Sequence, residues 1–272
     1  MNIDLEKLAN ILRETAKVEI LPRFRRLEPQ MVRQKSEAID LVTEADEAAE
    51  RMIMAQVAEM LPEATFVGEE SVDADPSVLD GLKDAKLAVV VDPIDGTANY
   101  AAGMPLFGVM AAVVAKGETI AGIIYDPMGD DWVLAEKGSG AWQKAPDGHS
   151  VRLKAASPVP LEQMVGTASV GSLPANLRLQ TLANLAKVRL AAGYRCAAHE
   201  YRTFAAGHLH YCMFKKLMPW DHLAGTLIAQ EAGAHIARFD GSAYLPHHTS
   251  GGLIAAPDLE SWELLRREVF TF

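Results

Sequence analysis

Apolar side chains at Leu5, Leu8, Ile11, Leu12 and Ala16 recur at helical spacing, so residues 3–20 read as an amphipathic helix that ends before Pro22. A second long helix follows Thr43 and ends near Pro62, with Thr43 and Asp46 spaced as an N-cap residue and its acidic partner three positions on. Thr65-Phe66-Val67 is a short strand, and residues 73–85, rich in Asp and interrupted by Pro76 and Gly81, form a surface connection. Lys86–Val91 is β-branched and nearly uncharged, which suits a strand buried on both faces. Asp92 then falls at the strand's C-terminal end, Pro93 stops the ladder, and a short helix opens from Thr97.

Beyond this point Phe107–Ala115, Thr119–Tyr125, Asp131–Ala135, Ala141–Gln143 and Val151–Leu153 alternate with the turn signals Lys116-Gly117, Asp126-Pro127, Gly138-Ser139-Gly140 and Asp147-Gly148. This is the pattern of an antiparallel meander. At Ser157-Pro158-Val159-Pro160 the pattern changes to strands alternating with helices. Strands are expected at 164–169, 188–190, 208–214, 235–239 and 253–256, and helices at 174–186, 195–206, 221–233 and 258–269. The chain therefore reads as α/β of the α+β kind, with an N-terminal half at 1–156 built on the antiparallel sheet and a C-terminal α/β half at 157–272.

Composition narrows the class. With 272 residues and 49% hydrophobic content the chain can bury a sizeable core, and no apolar run is long enough to span a bilayer. A net charge of −10 argues against a phosphate-backbone binder, whose affinity rests on clustered Lys and Arg. Cys196 and Cys212 form no disulfide framework and show no zinc-ligand spacing, which fits a reducing cytoplasm. The start, Asn2-Ile3-Asp4, lacks the basic flank and apolar core of a leader.

The chemistry concentrates in Asp92-Pro93-Ile94-Asp95-Gly96-Thr97, where a buried strand ends in two carboxylates and a Gly-Thr turn. Gly96 can adopt angles closed to other residues, and the free N–H groups of the following turn favour an anion. Carboxylates beside an anion-binding turn imply a divalent cation between them. Gly68-Glu69-Glu70-Ser71 delivers two more carboxylates after a strand, and Asp221 in Pro219-Trp220-Asp221-His222 precedes an apolar helix. Each has a structural alternative: a capped turn at Asp92 and Asp95, N-capping by Thr43, Asp46 and Asp221, a solvated loop at Glu69-Glu70. His208 and His210, on one face of a strand, and His247-His248, in a loop, carry no chemistry.

Together these motifs, with Lys35-Ser36, Asp40-Leu41-Val42-Thr43-Glu44-Ala45-Asp46 and Glu231-Ala232-Gly233-Ala234, resemble the inositol monophosphatase family of magnesium-dependent, lithium-sensitive phosphomonoesterases. The resemblance covers nearly the whole chain. It implies a layered α/β/α/β/α sandwich of the inositol monophosphatase and fructose-1,6-bisphosphatase type, usually a homodimer, acting on a small phosphorylated metabolite with two or three Mg²⁺. Carried over, Glu69, Asp92 and the Ile94 carbonyl hold one ion, and Asp92, Asp95 and Asp221 a second. Thr97 and Glu69 orient the attacking water, Asp46 accepts the Thr97 proton, and the Gly96 and Thr97 amides cradle the phosphate.

The substrate wall departs from the pattern. Inositol-preferring members carry Glu seven residues before the Trp-Asp aspartate, where this chain has Phe214 followed by Lys215 and Lys216. With Asp95, Ala197 and Asp221, Phe214 and Lys215 are the expected substrate contacts, suited to an aromatic part or a second anionic group. Phe214 as a strand core residue and solvated lysines are the structural alternative. Inositol or sugar phosphate is the family default; nucleotide bisphosphate and histidinol phosphate are enzymatic alternatives. An RNA-associated regulatory role, known among relatives, is the alternative of another class.

Overall fold

The computed structural model describes residues 3–35, 41–83 and 85–272. The sequence motif positions Ser36 and Asp40 lie outside the described residues. Eight α-helices occur among those described: α1 Leu5–Thr15, α2 Glu44–Met60, α3 Glu69–Ala74, α4 Thr97–Ala101, α5 Ala175–Leu185, α6 Ala197–Ala205, α7 Pro219–Glu231 and α8 Leu259–Glu268. The first predicted helix is not uniform, because α1 widens into a π turn over Ala16–Ile20.

A seven-stranded sheet contains β3 Thr65–Gly68, β4 Ala88–Asp95, β5 Gly108–Ala115, β6 Glu118–Asp126, β7 Asp131–Glu136, β8 Ala141–Lys144 and β9 Ser150–Arg152, in that spatial order. β3 pairs parallel with β4, and every later pair is antiparallel, as the meander pattern predicts. The second sheet has β10 Val165–Ala168, β11 Leu190–Ala192, β12 Tyr211–Phe214, β13 His235–Arg238 and β14 Leu253–Ala256, in the order β11-β10-β12-β14-β13. A two-stranded ribbon, β1 Val32–Gln34 with β2 Leu41–Thr43, precedes α2.

Alternation along β4 explains the layering. Val89 and Val91 face one way into a core with Leu8, Leu12, Ile53 and Val57 of α1 and α2. Ala88 and Val90 face the other way, towards Tyr201 and Phe204 of α6 and Leu223, Leu227 and Ile228 of α7. That middle core also takes Cys212 and Phe214 from β12, while Tyr211 and Met213 turn to the far face, against Trp262 and Leu265 of α8. The result is the five-layer α/β/α/β/α sandwich, and each sheet is apolar on both faces because each is covered on both.

Three local expectations change. Pro93 does not end β4; the strand continues to Asp95 with a register shift against β5 between Asp92 and Asp95. A bulge absorbs a proline without ending the pairing. The connection at 73–85 contains a 3₁₀ segment, Pro76–Leu82, whose Leu82 is buried in the middle core. His208 and His210 precede β12 rather than sharing its face; the His210 ring accepts from Val165 N at 3.2 Å. No helix among the described residues is long and apolar enough to cross a membrane.

Candidate active site

Because β3 and β4 run parallel, Glu69, the first residue of α3, and the Asp92–Asp95 bulge emerge at one edge of the sheet. Asp92 Oδ1 accepts from Ile94 N at 3.0 Å, folding the chain back at Pro93. Asp95 Oδ2 accepts from Ala198 N at 2.6 Å and from the Cys196 thiol at 3.0 Å, so the start of α6 holds it from the second half of the chain. Asp221 lies in the first turn of α7. Carboxylate oxygens of Asp92, Asp95 and Asp221 all fall within 4.8 Å of one another. Gly96, with φ of +87°, then swings the chain into α4 where a side chain would press on Cys196 and the Leu106 carbonyl.

The cluster carries unbalanced negative charge. Burial, followed by repulsion from Glu69, Asp95 and Asp221, holds Asp92 well above the ordinary carboxylate range. Asp221 is raised likewise by burial and then by Asp95 and Glu69. Asp95 is raised by burial despite the donors from Cys196, Ala198 and Ala197. Burial pushes Glu69 up to about 7 and Glu70 to about 8, although Lys35 Nζ sits 3.1 Å from Glu69 and 2.7 Å from Glu70. One lysine shared by two carboxylates does not offset their desolvation. Lys35 itself stays charged, because the two glutamates outweigh the burial that disfavours its ammonium form.

Crowded carboxylates with a nearby backbone carbonyl fit a hard divalent cation. The Cys196 thiol does not make the site a soft one: burial and then Asp95 raise its pKa, so it stays a protonated donor. The donor set therefore matches Mg²⁺ better than Zn²⁺.

Asp46 ties the start of α2 to the Thr97 turn. Its Oδ2 accepts from Thr43 N at 2.9 Å in a capping box on α2, and its Oδ1 lies 3.1 Å from Thr97 Oγ1. Thr97 Oγ1 is also 2.9 Å from the Ile94 carbonyl oxygen, so its single proton is shared between two acceptors. Burial raises Asp46 to about 6 against the hydrogen bonds that favour its ionised form.

A cavity of about 610 Å³ opens over these groups. Glu69, Asp92, Ile94, Asp95, Gly96, Thr97 and Asp221 line it, as do Arg195, Glu200 and Lys216. Phe214, Lys215 and Ala197 do not. Strand parity sends Phe214 into the middle core, 4% exposed and stacked at 4.9 Å on Tyr201, and Lys215 turns over the Phe239 ring. The expected apolar wall is therefore replaced by Lys216 and Arg195. Ala197 acts one layer back, through its backbone, on Asp95.

Other functional residues lay outside the sequence reading. Glu50 of α2, 3% exposed, accepts from Glu70 N and Ser71 N, both at 2.7 Å, and so fixes the turn that presents Glu69. The available signal was a carboxylate at a core-facing position between Ala49 and Ile53. His222 donates from Nε2 to the Lys216 carbonyl at 2.9 Å; since a carbonyl only accepts, Nδ1 is the acceptor for Tyr201 OH at 3.0 Å. Burial lowers His222 to about 4, keeping it neutral.

Known proteins share this chain's sequence pattern and fold. The description "Inositol monophosphatase family" matches residues 4–269. The chain is 31% identical over 233 residues to Nus factor SuhB of Haemophilus influenzae, covering 84% of this chain and 82% of that protein. It is also 31% identical over 210 residues to an inositol-1-monophosphatase of Mesorhizobium japonicum, covering 74% and 73%. The solved structure of extragenic suppressor protein suhB from Bartonella henselae superposes with a TM-score of 0.81 at 27% identity, covering 98% of this chain and 99% of that one.

Proposed function

This chain belongs to the inositol monophosphatase family, and on that footing we propose that it hydrolyses the phosphate monoester of a small metabolite with Mg²⁺. The observation that carries the reading is the convergence of Asp92, Asp95 and Asp221, from two distant stretches of chain, on one cavity shared with Glu69 and Thr97. Glu69, Asp92 and the Ile94 carbonyl would hold one ion, and Asp92, Asp95 and Asp221 a second. Bound there, Mg²⁺ supplies charge neutralisation of the phosphoryl group and acidification of a water.

The chain's own groups supply the rest. Asp46, accepting from Thr97, leaves the Thr97 oxygen free to accept from the attacking water, which Glu69 orients on its other side. The water oxygen bonds to phosphorus as the ester P–O bond breaks; the water passes one proton by way of Thr97 to Asp46, and the leaving alkoxide takes one from solvent. The Gly96 and Thr97 amides receive the phosphate oxygens. Inositol or sugar phosphate is the default substrate, and lithium inhibition and a homodimer accompany the family assignment. Leu179 and Leu182 of α5 and Leu190 of the sheet-edge strand β11 offer an exposed apolar face for that dimer.

The test is phosphate release from inositol, sugar, nucleotide and histidinol phosphates, with Mg²⁺ and with chelator. Release should require Mg²⁺ and fall when excess Ca²⁺ replaces it. Undiminished turnover in chelator, or none from any phosphate, would overturn the reading. An RNA-associated role is the second reading, supported by the several relatives named Nus factor SuhB. An RNA gel shift at moderate salt, with no phosphatase activity, would favour it.

A further inference from the structure

Arg195 has backbone angles in the left-handed region, φ of +55°, which a non-glycine residue adopts only when its surroundings impose it. The surroundings do so on both sides. Tyr194 N donates to Glu200 Oε1 at 3.0 Å, and Asn99 Nδ2 donates to the Tyr194 carbonyl at 2.8 Å. On the other side the Cys196 thiol and Ala198 N are both bonded to Asp95. The turn is thus tied to a metal-ligand candidate, and its exposed arginine lines the same cavity.

Arg202 nearby in sequence pairs with Asp131, and Lys35 pairs with Glu69 and Glu70. Arg195 has no carboxylate at ion-pair distance among the described residues. A second cation, Lys216, lines the cavity from the loop between β12 and α7, and the buried His222 bond to its carbonyl holds that loop. Two cations on two pinned loops thus line a cavity of about 610 Å³ that also holds the acidic cluster, a volume that accommodates a molecule of sugar size.

We infer that Arg195 and Lys216 form a subsite for a second anionic group on the leaving-group side, so that the substrates are phosphomonoesters that also carry a phosphate or carboxylate. This rests on the phosphomonoesterase reading of the acidic cluster. The planar guanidinium suits either anion through paired N–H donors, and the lysine adds a point charge.

The experiment compares matched pairs: fructose 1-phosphate with fructose 1,6-bisphosphate, and glycerol 1-phosphate with 3-phosphoglycerate. The first pair adds a phosphate and the second a carboxylate. Wild type should favour the dianionic-group member of at least one pair by about tenfold or more in kcat/KM, less at high salt. Arg195→Asn removes the charge with a residue that tolerates the left-handed backbone, and should collapse the ratio; Arg195→Lys should retain part of it. Lys216→Ala should lower the ratio separately. Calorimetric titration of the same four compounds with Ca²⁺ in place of Mg²⁺ reads binding without turnover, and should show the same preference and the same loss. Equal binding of both members by wild type, or an Arg195→Asn variant that weakens both members equally, overturns the inference. If nothing is hydrolysed but the binding preference stands and falls with Arg195, the subsite holds and the hydrolytic reading fails.

Discussion

At the scale of single residues, the site balances charges that the protein does not neutralise by itself. Asp95 is informative because its donors from Ala198 and Cys196 favour the ionised form while burial and neighbours oppose it. Asp95→Asn keeps the shape and an acceptor for those donors but removes a negative charge from the candidate metal cluster. It should lower kcat by about a hundredfold or more, while the melting temperature of the metal-free protein stays level or rises. Steady-state kinetics in saturating Mg²⁺ and thermal denaturation in chelator check the two halves. Near-native kcat would make Asp95 a turn residue only. The sequence made Asp95 and Asp221 legible as carboxylates next to a turn and a helix start, yet it left a structural role open beside ligation at Asp95 and favoured N-capping at Asp221. A spacing rule sees one element at a time; it does not see that α6 and α7 aim at the same bulge.

At the scale of elements, α7 carries Asp221 into the cluster, and its position depends on how closely it lies on the seven-stranded sheet. It crosses β6 at Gly122, where an added Cβ would stand 2.8 Å from Ala224 Cα and 2.9 Å from its carbonyl oxygen. Gly122→Ala should therefore push α7 off the sheet, at a cost of about 1–3 kcal/mol of stability. Because the displaced helix bears Asp221, the same variant should also bind Mg²⁺ more weakly. Denaturant unfolding and metal titration would show the two losses together; a loss of stability with unchanged Mg²⁺ affinity would separate the packing from the site. Neither helix nor strand in this pair is unusual in sequence. Their approach is set by two small residues that meet only after the sheet has formed.

At the scale of the whole molecule, the buried carboxylates should make metal-free stability depend on pH in a definite direction. Asp46 at about 6, Glu69 at about 7 and Glu70 at about 8 bind protons more tightly folded than unfolded, where carboxyls titrate near about 4. Their protonated forms favour the fold at low pH, and that contribution is lost as pH rises from about 4 to about 8. The melting temperature in chelator should accordingly fall between pH 5 and pH 8, by roughly 5–10 °C. Mg²⁺ should restore more at pH 8 than at pH 5, since its ligands bind as carboxylates. A flat or rising profile in chelator would contradict this account.

The sequence by itself determined the elements, the alternation that buries both faces of β4, and the set of carboxylates offered to the cavity, because periodicity and turn chemistry act within a few residues. It also carried the family resemblance, through motifs that keep their order along the chain. Only the tertiary structure decided which side chains face the cavity. Strand parity in β12 turned Phe214 inward, the pinned turn at 193–198 put Arg195 in its place, and helix α2 brought Glu50 under the turn that presents Glu69. These are meetings between residues far apart in sequence, and their geometry exists only once the five layers are stacked.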